Sequence, residues 1–398
     1  MKILWVNANF LHPTTKGGQI RTLELVKRLH RRHEIHYAAF ENPAQPEGLR
    51  RAGEYSTRVY PFRHLAPAHT SPRFAMQVAA GLFSSLPVAI SRWISPELRR
   101  FVKQQLNSGA FDRAVCDFLF PAPHFDDLSH SILFQHNVET MIWRRHAETA
   151  TGPVRRAYFG LQAKRMFAYE KQTCLAAGSI IAVSENDART MRDLFGVQNV
   201  HHTATGVDID YFAPQPAPHA ADLVFVGSMD WMPNIDGISW FCSDILPLLR
   251  RRHPECSLAV AGRAPVAAIQ ALGQSDPRIV ITGTVPEIRP WLWGAKLSIV
   301  PLRVGGGTRL KIYEAMAAGV PVVSTAIGAE GLDYTDGEDI LIADSPAQFA
   351  DACARILAGP ALAARLAANA RHLVASRFSW DRVVVDFENL IIAAPACR

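Results

Sequence analysis

The densest chemistry in this 398-residue chain lies in one run, Val304-Gly-Gly-Gly-Thr-Arg-Leu-Lys-Ile-Tyr-Glu-Ala-Met-Ala-Ala-Gly-Val-Pro-Val-Val323. Three glycines after a strand-like segment let a backbone approach a ligand closely, which makes Gly306 and Gly307 candidate contacts. A helix opening near Thr308 turns its first N–H groups toward an anion, and Arg309 and Lys311 add positive charge beside them. Glu314 follows within two turns of the same helix, where a carboxylate can accept both hydroxyls of a ribose. A glycine turn beside a solvated Arg-x-Lys face would explain parts of this run; the ordered combination describes a nucleoside diphosphate site.

A second constellation, His136-Asn137-Val138-Glu139, directly follows an apolar segment, where an imidazole can hydrogen-bond a ligand or simply line the site. Asp117, just after Cys116, stands at another such strand end. The six cysteines form no C-x-x-C pair and none sits near a His at zinc-ligand spacing, so they read as reduced structural thiols. G-x-x-x-x-G-K-[ST] is absent and no G-x-G-x-x-G follows the first strand, which argues against a P-loop kinase or GTPase and weakens a hydride-transfer reading. Lys plus Arg number 42 against 36 Asp plus Glu, a +6 excess too small and scattered for nucleic acid. It suits a phosphate-bearing ligand or an anionic membrane surface.

These residues need a scaffold, and the composition, 48% hydrophobic and 20% charged, is that of a soluble globular protein of two or three domains. Short apolar runs alternate with helical patterns, the signature of parallel sheets with crossover helices. Strands are expected at 3–6, 35–40, 113–116, 132–135 and 179–183, then at 223–226, 258–261, 279–281, 297–300 and 321–324. Helical patterns cover 234–252, 288–294, the segment reaching Ala318, and 380–394. Pro214, Pro216 and Pro218 make an extended linker. The expected fold is α/β, with two doubly wound Rossmann-like domains facing across a cleft and ligands beyond the carboxyl ends of the strands. Residues 1–205 form the first domain, 206–222 the linker, 223–375 the nucleotide-binding domain, and 376–398 a helix packing back on the first domain.

Over most of its length the chain resembles the retaining nucleotide-sugar glycosyltransferases of family 4, which have the GT-B fold. The resemblance rests on 311–323, on Gly206-Val207-Asp208 followed by Phe212, which is similar to the inter-domain loop, and on Gly17-Gly18 with Arg21, similar to the loop that closes on the donor diphosphate. Gly227-Ser-Met-Asp-Trp-Met-Pro-Asn-Ile-Asp-Gly237 resembles a bacterial polysaccharide-assembly branch. The resemblance implies donor contacts from Gly17, Gly18, Gly227, Ser228, Gly306, Gly307, Thr308, Arg309 and Lys311, with the backbone of Gly283 to Val285 at the base. It implies a role for His136 on the transferring sugar or acceptor; with Glu314, placed on the ribose by its helix position, His136 is a catalytic candidate, and Arg21 and the strand-end Asp117 are placed on the acceptor side. Front-face attack with retention is implied, without a protein nucleophile, metal or other cofactor; Asp208-Ile-Asp210 spells a D-x-D but sits in the inter-domain loop. The chain departs from the pattern twice. Gly306 occupies the place of the first Glu in Glu-x7-Glu, and Ser228 and Asn234 stand where Arg and Lys usually grip the pyrophosphate, so Arg309 and Lys311 are expected to supply that charge.

The expected activity is transfer of a sugar from a nucleoside diphosphate sugar to a glycan or lipid-linked glycan acceptor, in exopolysaccharide or other envelope glycan biosynthesis. The alternatives are a nucleotide-sugar epimerase of the same fold, which needs no acceptor, and a non-catalytic nucleotide-sugar-binding scaffold, which Gly306 keeps open. Arg92-Trp93, Arg99-Arg100 and Lys103, interleaved with Leu98, Phe101, Val102 and Leu106, read equally as a membrane-surface or lipid-acceptor site and as a solvated helix face. The polar turn after Val6 is unlike a secretory signal, and polar residues and Pro87 break the charge-free stretch 74–91, so the expected place is the cytoplasm, at the inner face of the membrane. Trp291 and Trp293 read as a nucleobase wall or as core.

Overall fold

The computed structural model describes residues 1–14, 17–64, 81, 84–304 and 310–397. The expected contacts Gly306, Gly307, Thr308 and Arg309 lie outside the described residues, as does part of the 74–91 stretch. The chain divides into two compact units, Met1–Ala204 with Val384–Arg398, and Thr205–Val383.

In the first unit the described strands form one parallel sheet: β1 (Lys2–Asn9), β2 (Glu34–Glu41), β3 (Arg58–Arg63), β4 (Arg113–Asp117), β5 (Ile132–Gln135), β6 (Ser179–Ala182) and β7 (Val200–His202), in the order β3-β2-β1-β4-β5-β6-β7. Ile3, Leu4, Trp5 and Val6 of β1 are fully buried, as an unbroken apolar run in a parallel strand requires. β1 pairs with β2 on one side and with β4 on the other, Trp5 opposite Val115 and Val6 opposite Cys116. The sheet grows in one direction from β1 to β3 and in the other from β4 onward, so the switch point lies between β1 and β4. The helix Glu185–Phe195 opens on Ser184, whose hydroxyl accepts from the Asp187 N–H, and closes on Gly196 at φ 75°. β3 and β7 fall outside the expected set. Pro61 disguises β3 in the sequence, and it is tolerated because β3 is an edge strand.

The second unit holds β8 (Ala221–Val226), β9 (Leu258–Ala261), β10 (Ile279–Gly283), β11 (Ala295–Val300), β12 (Val322–Ser324) and β13 (Leu341–Ile342), all parallel, in the order β10-β9-β8-β11-β12-β13. Its switch point lies between β8 and β11. The helix expected at 234–252 is divided into Met232–Trp240, a π-helical stretch Phe241–Ile245, and Leu246–Arg250, where Pro247 brings no N–H to the ladder. The helix Leu310–Ala317 precedes Gly319, whose φ of 69° ends the turn.

The final helix, Trp380–Ala393, begins in the second unit and ends in the first. Its first residue packs where a Cβ on Gly206 would collide with the Trp380 indole, which explains a glycine at the start of the linker. Farther along, Phe387 packs on Trp5 and Phe134, and Glu388 pairs with Arg32 at 2.6 Å and His33 at 2.6 Å. The basic segment forms the helix Pro96–Asn107, capped by Ser95, with Leu98 and Val102 buried. Arg99 and Lys103 both reach Asp126, at 2.8 and 2.9 Å, so part of this basic face is neutralised within the protein and the solvated-helix reading fits it. Among the described residues no helix is long and apolar enough to cross a membrane.

Candidate functional sites at two switch points

The switch point of the first unit gathers Asp117, His136 and Arg21. Asp117 ends β4, His136 follows β5, and Arg21 and Thr22 lie on the helix Gly17–Leu29 that leaves β1. Asp117 is 1% exposed, and its Oδ2 accepts from Trp5 Nε1 at 2.9 Å, Asn7 Nδ2 at 2.6 Å and Thr22 Oγ1 at 2.9 Å. Its Oδ1 lies 2.7 Å from His136 Nε2, which therefore carries the proton, leaving Nδ1 to accept from Arg21 Nη1 at 3.3 Å. Burial lowers the His136 pKa, Arg21 pushes the same way and Asp117 opposes, so the neutral tautomer agrees with the geometry. Burial also brings Arg21 down to about 10, with Asp187 and Asp117 resisting. A Cβ on Gly18 would stand 3.3 Å from His136 Nδ1, so the Gly17-Gly18 turn passes directly over the imidazole. Phe118 has the left-handed φ of 79°, uncommon for an aromatic residue, and its ring lies 5.0 Å from that of His136.

Both nitrogens of His136 are thus engaged inside the protein, and Asp117 is saturated by donors. The imidazole is held still rather than poised as a base. The segment that carries it is fixed from outside by Glu170 on the helix Pro153–Ala176. Glu170 accepts from Gln135 Nε2 at 3.2 Å, the Glu139 N–H at 3.0 Å, the Thr140 N–H at 2.7 Å and Thr140 Oγ1 at 2.6 Å. It caps the helix Glu139–Thr149 and grips the residues on both sides of His136. Burial pushes Glu170 up to about 8 against the pull of these donors. Glu170→Gln keeps the shape but turns an NH₂ toward at least one donor; the expected loss is about 1–3 kcal/mol, read from urea unfolding, and an unchanged midpoint would exclude this role.

In the second unit Gly227 ends the run of β8, and a Cβ there would stand 2.7 Å from both Asn234 Nδ2 and Lys311 Nζ. A side chain at 227 would force that pair to shift. Asn234, 3% exposed, donates from Nδ2 to the Ser228 carbonyl at 2.8 Å and accepts Lys311 Nζ on Oδ1 at 3.0 Å. The Lys311 ammonium also lies 4.2 Å from the centre of the Phe225 ring. Lys311 comes from the helix after β11 and reaches the end of β8, so it bridges the switch point. One turn on, the Glu314 carboxylate accepts no hydrogen bond from another described residue, and burial pushes it up to about 7 while Lys311 pulls back.

Gly283 is paired opposite Ala261, as is Val226, so the ends of β10 and β8 stand level with one strand between them. That separates the Gly283 to Val285 loop from Gly227 by about 10 Å. Gly283 has the left-handed φ of 67°, and Val285 is half-buried. Trp291 and Trp293 are half-buried, and Arg289 lies over Trp293 and over Tyr211 of the linker, so Trp293 helps to anchor the linker. Asp208 accepts the Tyr211 N–H at 2.8 Å, a local turn. Among the described residues no three His, Cys, Asp or Glu side chains converge as a metal-ligand set. All six cysteines are free thiols. Sequence reasoning found Asp117, His136 and Lys311 but missed Trp5, Asn7, Thr22 and Glu170, whose only signal is a polar group beside a buried run.

Residues 220–359 match the family model described as glycosyl transferases group 1. The chain is 28% identical over 246 residues to D-inositol 3-phosphate glycosyltransferase of Nocardioides sp., covering 53% of each chain. It spans between about a third and three fifths of the length of the curated relatives it matches. Its two α/β units match GT-B structures over nearly the whole chain. Sucrose-phosphate synthase from Thermosynechococcus elongatus superposes with a TM-score of 0.72 at 16% identity over 98% of both chains. Anabaena Alr3699/HepE, solved in complex with UDP and glucose, gives 0.67 at 14% identity, over 99% of this chain and 100% of that one.

Proposed function

We propose that the chain is a metal-independent, retaining glycosyltransferase that takes a sugar from a nucleoside diphosphate sugar and delivers it to an acceptor hydroxyl. The observation that carries this reading is Lys311 fixed by Asn234 over Gly227 at a sheet switch point, one turn from the Glu314 carboxylate, which accepts no hydrogen bond from another described residue. Lys311 neutralises the diphosphate as it leaves, with Thr308 and Arg309 of the same run as further phosphate contacts. Glu314 accepts the ribose hydroxyls, and the Gly283 to Val285 loop, about 10 Å from Gly227, receives the base. The acceptor oxygen attacks the anomeric carbon on the face from which the phosphate departs; the C–O bond to phosphate breaks, and the departing phosphate oxygen takes the acceptor proton. The saturation of Asp117 and His136 supports this route, since neither is free to serve as nucleophile or base. An envelope glycan acceptor, met at the inner face of the membrane, rests on the polysaccharide-branch resemblance of 227–237.

The test is donor affinity against pH. Only the ionised Glu314 accepts both ribose hydroxyls, and its folded pKa is pushed up to about 7. Affinity should therefore fall as pH falls, about tenfold between pH 8 and pH 6, because the competent fraction drops by that factor. Calorimetry with UDP-, GDP-, dTDP- and ADP-glucose, whose diphosphate diesters do not titrate in this range, measures it. Glu314→Gln should bind weakly at both pH values and lose the pH dependence. Binding of none of the four, or equal affinity in Glu314→Gln, would sink the assignment.

A further inference from the structure

The final helix packs on the sheet face that carries Asp117 and His136. Trp5 stands opposite Val115, and Phe134 opposite Asp117. Alternation along β1, β4 and β5 therefore puts Trp5, Asp117, Phe134 and His136 on one face of the first sheet. Onto that face the helix delivers Phe387, fully buried, whose ring lies 6.1 Å from that of Trp5 and 4.9 Å from that of Phe134. Trp5 and Phe134 meet edge to face at 6.3 Å, which closes a triangle of rings. Two corners hold the polar pair itself: Trp5 Nε1 donates to Asp117 Oδ2 at 2.9 Å, and the Phe134 ring lies 4.5 Å from the His136 imidazole. Phe387 is the third corner, one ring removed from each member of the pair.

That corner is anchored on both sides. Glu388, the next residue, is held by Arg32 and His33, and Arg113 closes the last turn of the helix, donating from Nε to the Ile391 carbonyl at 2.9 Å and from Nη2 to the Ile392 carbonyl at 2.7 Å. Arg113 opens β4 and Asp117 ends it, so the strand that carries the carboxylate also ties down the helix that braces it. Interior side chains are close-packed, and shortening one of three touching rings opens space into which the other two relax. The indole then tilts off the carboxylate, and the Phe134 ring off the imidazole.

We propose that Phe387 is a positioning residue for sugar transfer: acting through Trp5 and Phe134, it fixes Asp117 and His136 in the place the reaction requires. The proposal rests on the transferase reading, with His136 on the transferring sugar or the acceptor. Phe387→Leu should lower kcat about tenfold or more, toward the roughly 100-fold that a misplacement of about 1 Å can cost. The donor dissociation constant by calorimetry, set in the second unit, should stay within about twofold. Phe387→Met serves as the second variant should the leucine variant fold poorly. Phe195→Leu, the same exchange at another buried ring of the first unit, packed on Phe167, should keep its kcat. Hydrogen exchange supplies a readout that needs no substrate. In Phe387→Leu the Trp5 indole N–H should exchange at least about tenfold faster relative to the Leu4 and Val6 amides, which follow the global opening of β1. An unchanged exchange ratio, a kcat within about twofold of the unaltered protein, or an equal loss in Phe195→Leu would overturn the inference. Absence of transfer by the unaltered protein would overturn the transferase reading instead, and the exchange ratio would still decide whether Phe387 braces the pair.

Discussion

Lys311→Ala should lower the rate of sugar transfer about 100- to 1,000-fold, the usual effect of removing one preorganised stabiliser of a developing negative charge. The size of the effect follows from how the ammonium is held. Asn234 Oδ1 fixes its position, the Phe225 ring lies beneath it, and Gly227 leaves it room, so the cation is in place before the phosphate departs. A cation that had to be gathered from solvent would lose much of that advantage to reorganisation. Lys311→Arg should rescue little, because a planar guanidinium is larger than the ammonium that fits between Asn234 and Gly227. Gly227→Ala should lower the rate less than Lys311→Ala, since a Cβ 2.7 Å from Nζ displaces the ammonium without removing its charge. Single-turnover rates on whichever nucleotide sugar binds decide the matter, and a change under threefold for Lys311→Ala would exclude a role in charge neutralisation.

That lysine was legible in the sequence because glycine, cation and carboxylate follow one another along a single helix start. The strands at 3–6, 132–135 and 258–261 were legible for a related reason: a strand buried on both faces must be apolar throughout, and such runs stand out. β3 was hidden by Pro61, β7 by the exposed His201 and His202, and β13 by having two residues. The partners of Asp117 were hidden more deeply. Trp5 and Asn7 lie 112 and 110 residues from it, and they meet it only because β1 and β4 pair in parallel with Trp5 opposite Val115. Nothing local in the sequence marks Glu170 either, since it sits within a 24-residue helix and acts on a different one. Local order is visible in a sequence when one element carries the whole group; a group assembled across a sheet needs the register.

Asp117→Asn should destabilise the first unit by about 1–3 kcal/mol, the cost of leaving a buried donor of this set unsatisfied. The substitution keeps shape and removes charge, so the cost can be followed proton by proton. If the new amide turns its NH₂ toward His136, Nε2 must accept and the proton moves to Nδ1. Nδ1–H then faces the Arg21 guanidinium 3.3 Å away, donor against donor. If the amide turns the other way, its NH₂ faces the N–H of Trp5 and the amide NH₂ of Asn7, whose own oxygen is committed to the Asn9 N–H. Neither orientation satisfies the set, and only the carboxylate accepts all four donors. The acid limb follows from the same network: His136 has a folded pKa below its unfolded value, so the stability it contributes is complete above about pH 6.5 and drains away as the pH falls and the ring must charge. At about 2–4 °C per kcal/mol for a domain of this size, Asp117→Asn should lower the melting temperature by roughly 2–12 °C at pH 8. Thermal unfolding within about 1 °C of the unaltered protein would mean that the charge on Asp117 is dispensable to this network.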